Sequence, residues 1–304
     1  MLDLFHLNNY KIDTELLGNH LHGEVVNIFE REFCEYVGAK YGCSLNSATN
    51  AIFLALQESK NKVITIPSNL PPVVANSIYN SGNFIEFKDT PDWVGDSYVL
   101  HSFKDYKIID SAQKVSKDQF KVEAQDNDLM IFSFYPTKPV GGLDGGMIVS
   151  NDKHKIEQFK RDVMNGMSFS PNNWERKWTS YGWKMYMSSS QAFVALQNLR
   201  CLDSKKEKLK KVRNYYNLCF ELGNTSDHLY RINIPNRDSK LQEMKNINIT
   251  CGIHYQPLHL IGPTLNSQLL PKTEYDSSTT LSIPFHENLT LEDLNKITSC
   301  ILKK

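Results

Sequence analysis

Short apolar runs alternate with helical stretches through the first half of the chain, and this alternation constrains the fold more than any other feature. A helix is predicted over residues 24–37, because apolar side chains recur there at helical spacing and Gly38 follows them. From there to residue 152 strand candidates alternate with helical stretches, which is typical of an α/β fold with a mainly parallel central sheet covered by helices. The strand candidates are CSLNSA, VITIP, NFIEF, SYVLH, KIIDS, LMIFSF and GMIVSN.

The last third of the chain has a different pattern. Residues 203–220 read as a charged helix that joins two domains, and its lysines as a solvated face. The runs LYRINIP, GIHYQPL and TTLSIPF, with helices near 237–246 and 290–302, predict a small α+β domain. We therefore expect a large domain over 1–202 and a small C-terminal domain over 203–304.

Composition excludes several classes of protein. The 304 residues are 40% hydrophobic, which is enough for a sizeable core, and 34 basic residues balance 34 acidic ones. A nucleic-acid surface would need a basic excess. No apolar run reaches the roughly 18 residues of a membrane helix, and the N-terminus lacks a signal-peptide pattern, so we expect a cytoplasmic protein. The six cysteines show no metal-ligand spacing, and we expect no metal.

Lys138 lies between an apolar strand and a glycine-rich turn, in the segment FSFYPTKPVGGLDGGMIVSND over residues 132–152. A lysine held in such a place is partly desolvated, which lowers its pKa and lets the neutral amine attack a carbonyl. The segment is thus typical of Schiff-base chemistry. By itself it also fits a solvated surface lysine.

Two further segments place polar groups after predicted strands. Asp110 and Gln113 follow the strand 106–109, and Ser47 and Thr49 lie at a turn between a strand and a helix. Backbone N–H groups and hydroxyls at such a turn form an anion site that suits a phosphate. A phosphate cradle, then an acid, then a lysine is the order of fold-type I pyridoxal phosphate (PLP) enzymes. Locally, Asp110 also fits a helix N-cap and Gln113 a surface amide.

Six segments, in one order along the chain, resemble the motifs of the DegT/DnrJ/EryC1/StrS family of PLP-dependent nucleotide-sugar aminotransferases. FSFYPTK followed by DGGMIVSND resembles F-S-F-x-x-x-K followed by E-G-G-x-x-x-T-N-D, and IIDSAQ resembles E-D-A-A-Q. The other four are NSATNAIFLAL, VITIPSNLPPVVANSI, YGWKMYMSSSQAFVALQNLRCLD and IHYQPLHL. The resemblance implies the fold-type I fold, pyridoxal 5'-phosphate as coenzyme, and a homodimer with shared active sites.

The same resemblance implies roles for individual residues. Lys138 would carry the coenzyme and move the proton during transamination, Asp110 would pair with the pyridine nitrogen, and Gln113 would lie near the phenolic oxygen. The residues implied for the phosphate are Ala48, Thr49, Ser133 and, from the neighbouring subunit, Lys184.

Some positions depart from the family pattern. Pro71 stands where an aromatic residue usually stacks on the coenzyme, and Lys184 replaces an asparagine. Lys184 can reach a phosphate as a point charge or be solvated, and both interpretations stay open. His254, Tyr255 and His259 are implied to line the substrate cleft, although a histidine in an apolar setting is more often structural.

The function that the resemblance implies is transfer of an amino group from an amino acid, with glutamate expected as donor, to a nucleotide-linked keto-deoxysugar. Asp144 follows Lys138 by six residues, a spacing we associate with amination at C4 of a 4-keto-6-deoxysugar. Amination at C3 and a catalytically inactive homologue are the alternatives. A sugar dehydratase on the same scaffold is disfavoured by Lys138, since those members carry a histidine there.

Overall fold

The computed structural model describes residues 1–7, 10–169, 175–263 and 268–303. Each strand candidate of the first half corresponds to an observed strand. The strands are β1 (Tyr41–Leu45), β2 (Val63–Pro67), β3 (Phe84–Lys88), β4 (Tyr98–Ser102), β5 (Lys107–Asp110), β6 (Leu129–Ser133), β7 (Gly146–Ser150), β8 (Met167–Phe169), β9 (Arg176–Trp178), β10 (Tyr230–Asn233) and β11 (Thr280–Ile283). The helices are α1 (Thr14–Leu17), α2 (Glu24–Val37), α3 (Ala48–Ala55), α4 (Pro72–Asn80), α5 (Gln119–Glu123), α6 (Lys153–Asp162), α7 (Ser189–Arg200), α8 (Leu202–Phe220), α9 (Arg237–Asn246), α10 (Leu258–Ile261), α11 (Pro271–Thr279) and α12 (Leu291–Leu302).

The central sheet is mixed, which corrects the expectation of a mainly parallel one within the predicted α/β fold. Its five strands lie in the order β1-β7-β6-β5-β4, and of these neighbours only β5 and β6 are parallel in the described part of the chain. A short connection accounts for the antiparallel pair β4–β5, because it can join antiparallel neighbours whereas parallel strands need a crossover. The link from β4 to β5 is a tight turn in which the Phe103 N–H donates to the Tyr106 carbonyl at 2.8 Å. Strands β2 and β3, which α4 separates in the chain, form a parallel pair.

Helix α2 has the predicted bounds. Phe29, Phe33 and Val37 are fully buried along one face, and that face packs against α7. Gly38 ends the helix in the left-handed conformation, with φ of 79°, and its N–H returns to the carbonyls of the last turn.

The sheet separates two hydrophobic cores. Along β6, Leu129 and Ile131 point into one core, and Met130 and Phe132 point into the other, as the alternation of a strand requires. Every residue of β6 and β7 is buried, so both strands lie at the centre of the molecule. Their ends are therefore rigid positions for functional side chains.

A third core gathers residues between 209 and 301, with α8, α9 and α12 around the β10–β11 pair. The predicted helices of this part are present, but GIHYQPL forms no strand, and only Gly252 makes an isolated bridge, to Ser282. Leu2 pairs with Ile249 and packs on this core. The division into domains at residue 202 stays a prediction.

One expectation from composition can be compared with the described residues. None of the helices in those segments is both long and apolar enough to cross a membrane. The six cysteines are free thiols, of which Cys34, Cys43 and Cys300 are buried and Cys201 is exposed.

Candidate active site

A cavity of about 520 Å³ opens at the ends of β5 and β6, where most of the residues predicted for the site come together. The predicted residues that line it are Ala48, Thr49, Pro71, Asp110, Gln113, Ser133, Lys138, His254 and Tyr255. Sequence segments more than 200 residues apart thus meet around one space.

Lys138 lies in the turn after β6, where its N–H donates to the Tyr135 carbonyl at 2.8 Å. Its side chain opens on the cavity but is otherwise surrounded by protein. Desolvation lowers the pKa of Lys138 to about 8, while the charge of Asp110 opposes that fall. Near neutral pH a useful fraction of the amine is therefore neutral and nucleophilic.

Asp110 ends β5 and is 4% exposed. Its Oδ1 accepts the Ala112 N–H at 2.9 Å, and its Oδ2 accepts the Tyr98 hydroxyl at 2.8 Å. Burial raises the pKa of this carboxyl, whereas the two hydrogen bonds and the charge of Lys138 lower it. No helix starts at residues 111–118, so the N-cap interpretation is wrong.

Gln113 is 2% exposed, so it is not a surface amide. Its Oε1 accepts the Gly95 N–H at 2.8 Å, and its Nε2 donates to the Tyr255 hydroxyl at 3.0 Å. The amide is therefore fixed between two loops that line the cavity.

The start of α3 forms one corner of the cavity. Ser47 caps the helix by accepting the Asn50 N–H at 3.2 Å, and Ala48, Thr49 and Ser133 face the cavity. The first N–H groups of a helix have no partner within it and carry partial positive charge. This corner therefore has the donors that a phosphate requires.

The second glycine of DGG explains how β7 reaches this corner. A Cβ at Gly146 would lie 2.5 Å from the Ala48 nitrogen, so only glycine lets the strand lie against the start of α3. The preceding Gly145 has φ of 137°, which side-chain-bearing residues rarely adopt. The motif is thus needed for the geometry of the cavity.

A second wall of the cavity, here called the aromatic wall, contains residues that sequence reasoning missed. Phe5 stacks on His228 with ring centroids 5.4 Å apart and meets His254 edge-on at 6.2 Å. Burial lowers the pKa of His254 to about 4 and, with the charge of Lys138 adding to the effect, that of His228 well below its usual value. Both imidazoles are therefore neutral near Lys138. No local pattern marked Phe5 or His228, because only tertiary contacts bring them to the site.

Trp93 and Tyr98 were also missed. Trp93 lines the cavity from the 3-10 turn Pro91–Trp93, and Tyr98 supports Asp110 from β4. A tyrosine at the start of a strand, or a tryptophan in a turn, gives no chemical signal by itself.

His259 does not line the cavity, which corrects the expectation that it contacts substrate. It is 1% exposed, its Nδ1 lies 2.7 Å from the Ser68 hydroxyl, and its Nε2 lies 3.2 Å from a carboxylate oxygen of Glu274. With both ring nitrogens engaged inside the protein, the residue joins α10 to the loop after β2.

Lys184 is exposed and lies outside the cavity of its own chain. From that position Lys184 could contact a phosphate site only in a neighbouring subunit. Its role at a phosphate stays a prediction.

Known proteins resemble this chain both in sequence and in fold. The model of the DegT/DnrJ/EryC1/StrS aminotransferase family matches residues 12–89 and 108–302. A UDP-4-amino-4,6-dideoxy-N-acetyl-beta-L-altrosamine transaminase of Campylobacter jejuni is 26% identical over an alignment of 357 residues, which covers 96% of this chain and 94% of the relative.

Solved structures share the fold. An aminotransferase of Helicobacter pylori involved in the biosynthesis of pseudoaminic acid superposes with a TM-score of 0.79 at 19% identity, covering 98% of this chain and 97% of the other. The aminotransferase TlmJ of Streptoalloteichus hindustanus gives a TM-score of 0.82 at 19% identity, covering 99% and 98%. The predicted fold-type I fold and the predicted enzyme class are confirmed. The match of the family model across nearly the whole chain shows that it belongs to the DegT/DnrJ/EryC1/StrS aminotransferase family.

Proposed function

We propose that the protein uses pyridoxal 5'-phosphate to move an amino group from glutamate to C4 of a nucleotide-linked 4-keto-6-deoxysugar. The observation that carries the proposal is one cavity that holds a desolvated lysine, a buried carboxylate and the start of a helix. A lysine nucleophile, an anion to face a protonated ring and a phosphate cradle are the three groups that this coenzyme needs from a protein.

The residues present fit the coenzyme. Asp110 is fully buried in a place where desolvation opposes its charge, and a cationic ring nitrogen facing it would offset that cost. The start of α3 and Ser133 would hold the phosphate, and Gln113 lines the cavity with its amide fixed by two hydrogen bonds. The cavity volume lies within the range of about 300–1,000 Å³ that is common for small-molecule sites.

When bound, the coenzyme supplies an electron sink, and the chain supplies nucleophile, orientation and proton transfer. The Lys138 amine, whose pKa of about 8 lies near neutral pH, suits both attack on a carbonyl and the transfer of a proton. Tyr98 holds Asp110 in place, and burial raises the pKa of Tyr98 well above its usual value, so its hydroxyl remains a donor.

Two observations support C4 as the position of the new amine. The Campylobacter jejuni relative is named for a 4-amino-4,6-dideoxy sugar, which also makes a UDP-linked substrate the first one to test. In addition, Asp144 lines the cavity and its Oδ1 accepts the Gly145 N–H at 2.7 Å, so the length of the loop after Lys138 shapes the pocket.

The active unit that we propose is a homodimer with shared sites. Trp178 is 68% exposed and Tyr181 is 86% exposed, and their rings contact each other close in sequence to Lys184. Exposed aromatic side chains of this size are typical of an interaction surface. A second copy docked there would bring Lys184 toward its site.

The test is incubation of the purified protein with PLP, glutamate and matched UDP-linked 3-keto and 4-keto substrates, followed by NMR location of the new C–N bond. We expect amination at C4 of the 4-keto substrate. A product aminated only at C3 would overturn the position, and turnover with other donors but not glutamate would overturn the donor. Failure to bind PLP would overturn the whole proposal.

A further inference from the structure

Trp93 is held at the edge of the cavity by a closed set of hydrogen bonds. Its Nε1 donates to the Asn69 Oδ1 at 3.0 Å, and the Asn69 Nδ2 donates to the Pro91 carbonyl at 3.1 Å. Asn69 is completely buried. One amide thus clamps both ends of the turn Pro91–Trp93 onto the loop after β2, and the indole has little freedom to move.

The Trp93 indole contacts two tyrosines, each of which is bonded to a different residue of the proposed coenzyme site. It meets the Tyr98 ring edge-on at 4.9 Å, and Tyr98 donates to Asp110. The indole lies nearly parallel to the Tyr255 ring, with 7° between the ring planes and 6.3 Å between the centroids. The Tyr255 hydroxyl accepts a hydrogen bond from Gln113.

The segment just after this turn also contacts Gln113, because the Gly95 N–H donates to the Gln113 Oε1 at 2.8 Å. The amide oxygen of Gln113 is therefore bonded to Gly95, which lies two residues after Trp93, and the amide nitrogen to Tyr255, which Trp93 contacts. Gly95 also leaves no room for a side chain, since a Cβ there would lie 2.7 Å from the Ser226 hydroxyl oxygen.

We infer that Trp93 is a positioning residue that fixes Asp110 through Tyr98 and Gln113 through Tyr255. The inference rests on the proposed function, because it assigns to Trp93 the orientation of the two side chains proposed to face the coenzyme ring. A rigid indole suits this task, since both tyrosine rings need a packed surface to keep their hydroxyls aimed.

The first experiment compares Trp93→Phe with Trp183→Phe. Trp183 makes an edge-on contact with Phe53 at 5.5 Å and does not line the cavity, so it is a matched control for loss of an indole. Binding of PLP to the coenzyme-free proteins is measured by calorimetry. We expect Trp93→Phe to raise the Kd for PLP by about five- to tenfold and to change the absorbance spectrum of bound PLP, with Trp183→Phe like wild type.

A double-mutant cycle with Tyr255→Phe tests the route. If Trp93 acts through Tyr255, adding Trp93→Phe to Tyr255→Phe should raise the Kd by less than it does in the wild-type background. Fully multiplicative effects would overturn the Tyr255 route. Asn69→Ser, which keeps the indole but weakens its clamp, replaces Trp93→Phe if that variant does not fold.

The outcomes separate the inference from the proposed function. If the wild-type protein does not bind PLP, the proposed function fails. If wild type binds PLP and Trp93→Phe changes only the melting temperature, with the Kd and the spectrum of the loaded protein unchanged, the positioning role is wrong.

Discussion

The two sides of the cavity are built in different ways. On one side, Asp110 and Ser133 end the neighbouring strands β5 and β6, and Lys138 lies in the turn after β6. On the other side, Phe5 and His228 come from segments far apart in the chain. The first side carries charge and hydrogen-bond donors, and the second carries aromatic surface and neutral imidazoles. We infer from this difference that the chemistry belongs to the sheet side and water exclusion to the aromatic wall.

The aromatic wall depends on the N-terminal segment. Backbone hydrogen bonds tie Leu2 to Asn248 and Thr250, at 2.9 and 2.8 Å, and the Phe285 N–H donates to the Leu4 carbonyl at 3.2 Å. These bonds set the position of Phe5 over the histidines. Phe5 thus reaches this wall through long-range pairing, whereas His254 comes from the motif segment IHYQPLHL.

The largest effect should come from the sheet side. Lys138→Ala removes the nucleophile and the proton carrier, so we expect complete loss of transamination, with PLP still held non-covalently at the start of α3. Borohydride reduction of the loaded wild-type protein, followed by peptide mapping, should find the pyridoxyl group on Lys138. A label on another lysine would contradict the assignment.

The contrast between the two sides also explains how much could be predicted from sequence. The bounds of α2, the strands of the first half and the sheet-side residues could be predicted, because each depends on spacing within a few turns or one strand. Asp110 and Lys138 stood out since they follow buried strands. Family and enzyme class followed from six such segments and are confirmed.

What sequence reasoning could not give depends on tertiary contacts. Phe5 reaches the site through the pairing of Leu2 with Ile249 and the bond between Leu4 and Phe285. His259 is held away from the site by its contacts with Ser68 and Glu274. The prediction of mainly parallel strands was wrong for a related reason. The alternation of helices and strands indicates layers, but strand order and direction depend on which connections are short.

The second prediction is that the subunits share active sites, so that a neighbouring chain contributes Lys184 to the cavity. Lys138→Ala and Lys184→Ala chains should each have little activity alone. Coexpressed, they should form mixed dimers in which one of the two sites draws an intact Lys138 and an intact Lys184 from opposite chains. Activity of tagged, purified mixed dimers decides the matter. If mixing restores nothing although both variants fold and dimerise, Lys184 does not serve a partner.

The third prediction concerns the aromatic wall, where we expect an effect of moderate size. Phe5→Ala opens the wall, so we expect the KM for the keto sugar to rise by about three- to tenfold, with a smaller change in kcat. Water that enters would favour the charged amine and raise the pKa of Lys138 above about 8, which lowers the neutral fraction at pH 7.

The pH dependence of Lys138 modification in the coenzyme-free protein measures that second effect. The matched control is Leu7→Ala, because Leu7 lies on the same segment but is 54% exposed. An unchanged KM together with an unchanged midpoint of modification would show that the N-terminal segment has no part in the site.

The smallest effect on turnover should come from His259, which belongs to neither side of the cavity. His259→Ala leaves the Ser68 hydroxyl without its ring partner and removes the contact with Glu274, so the free energy of unfolding should fall by about 2–3 kcal/mol. Below the melting transition, KM for the sugar and kcat should stay at wild-type values, because the ring does not reach the cavity. Urea unfolding and steady-state kinetics on the same preparations measure both, with exposed His154→Ala as control. A raised KM with undiminished stability would return His259 to the substrate-binding residues that its motif implies.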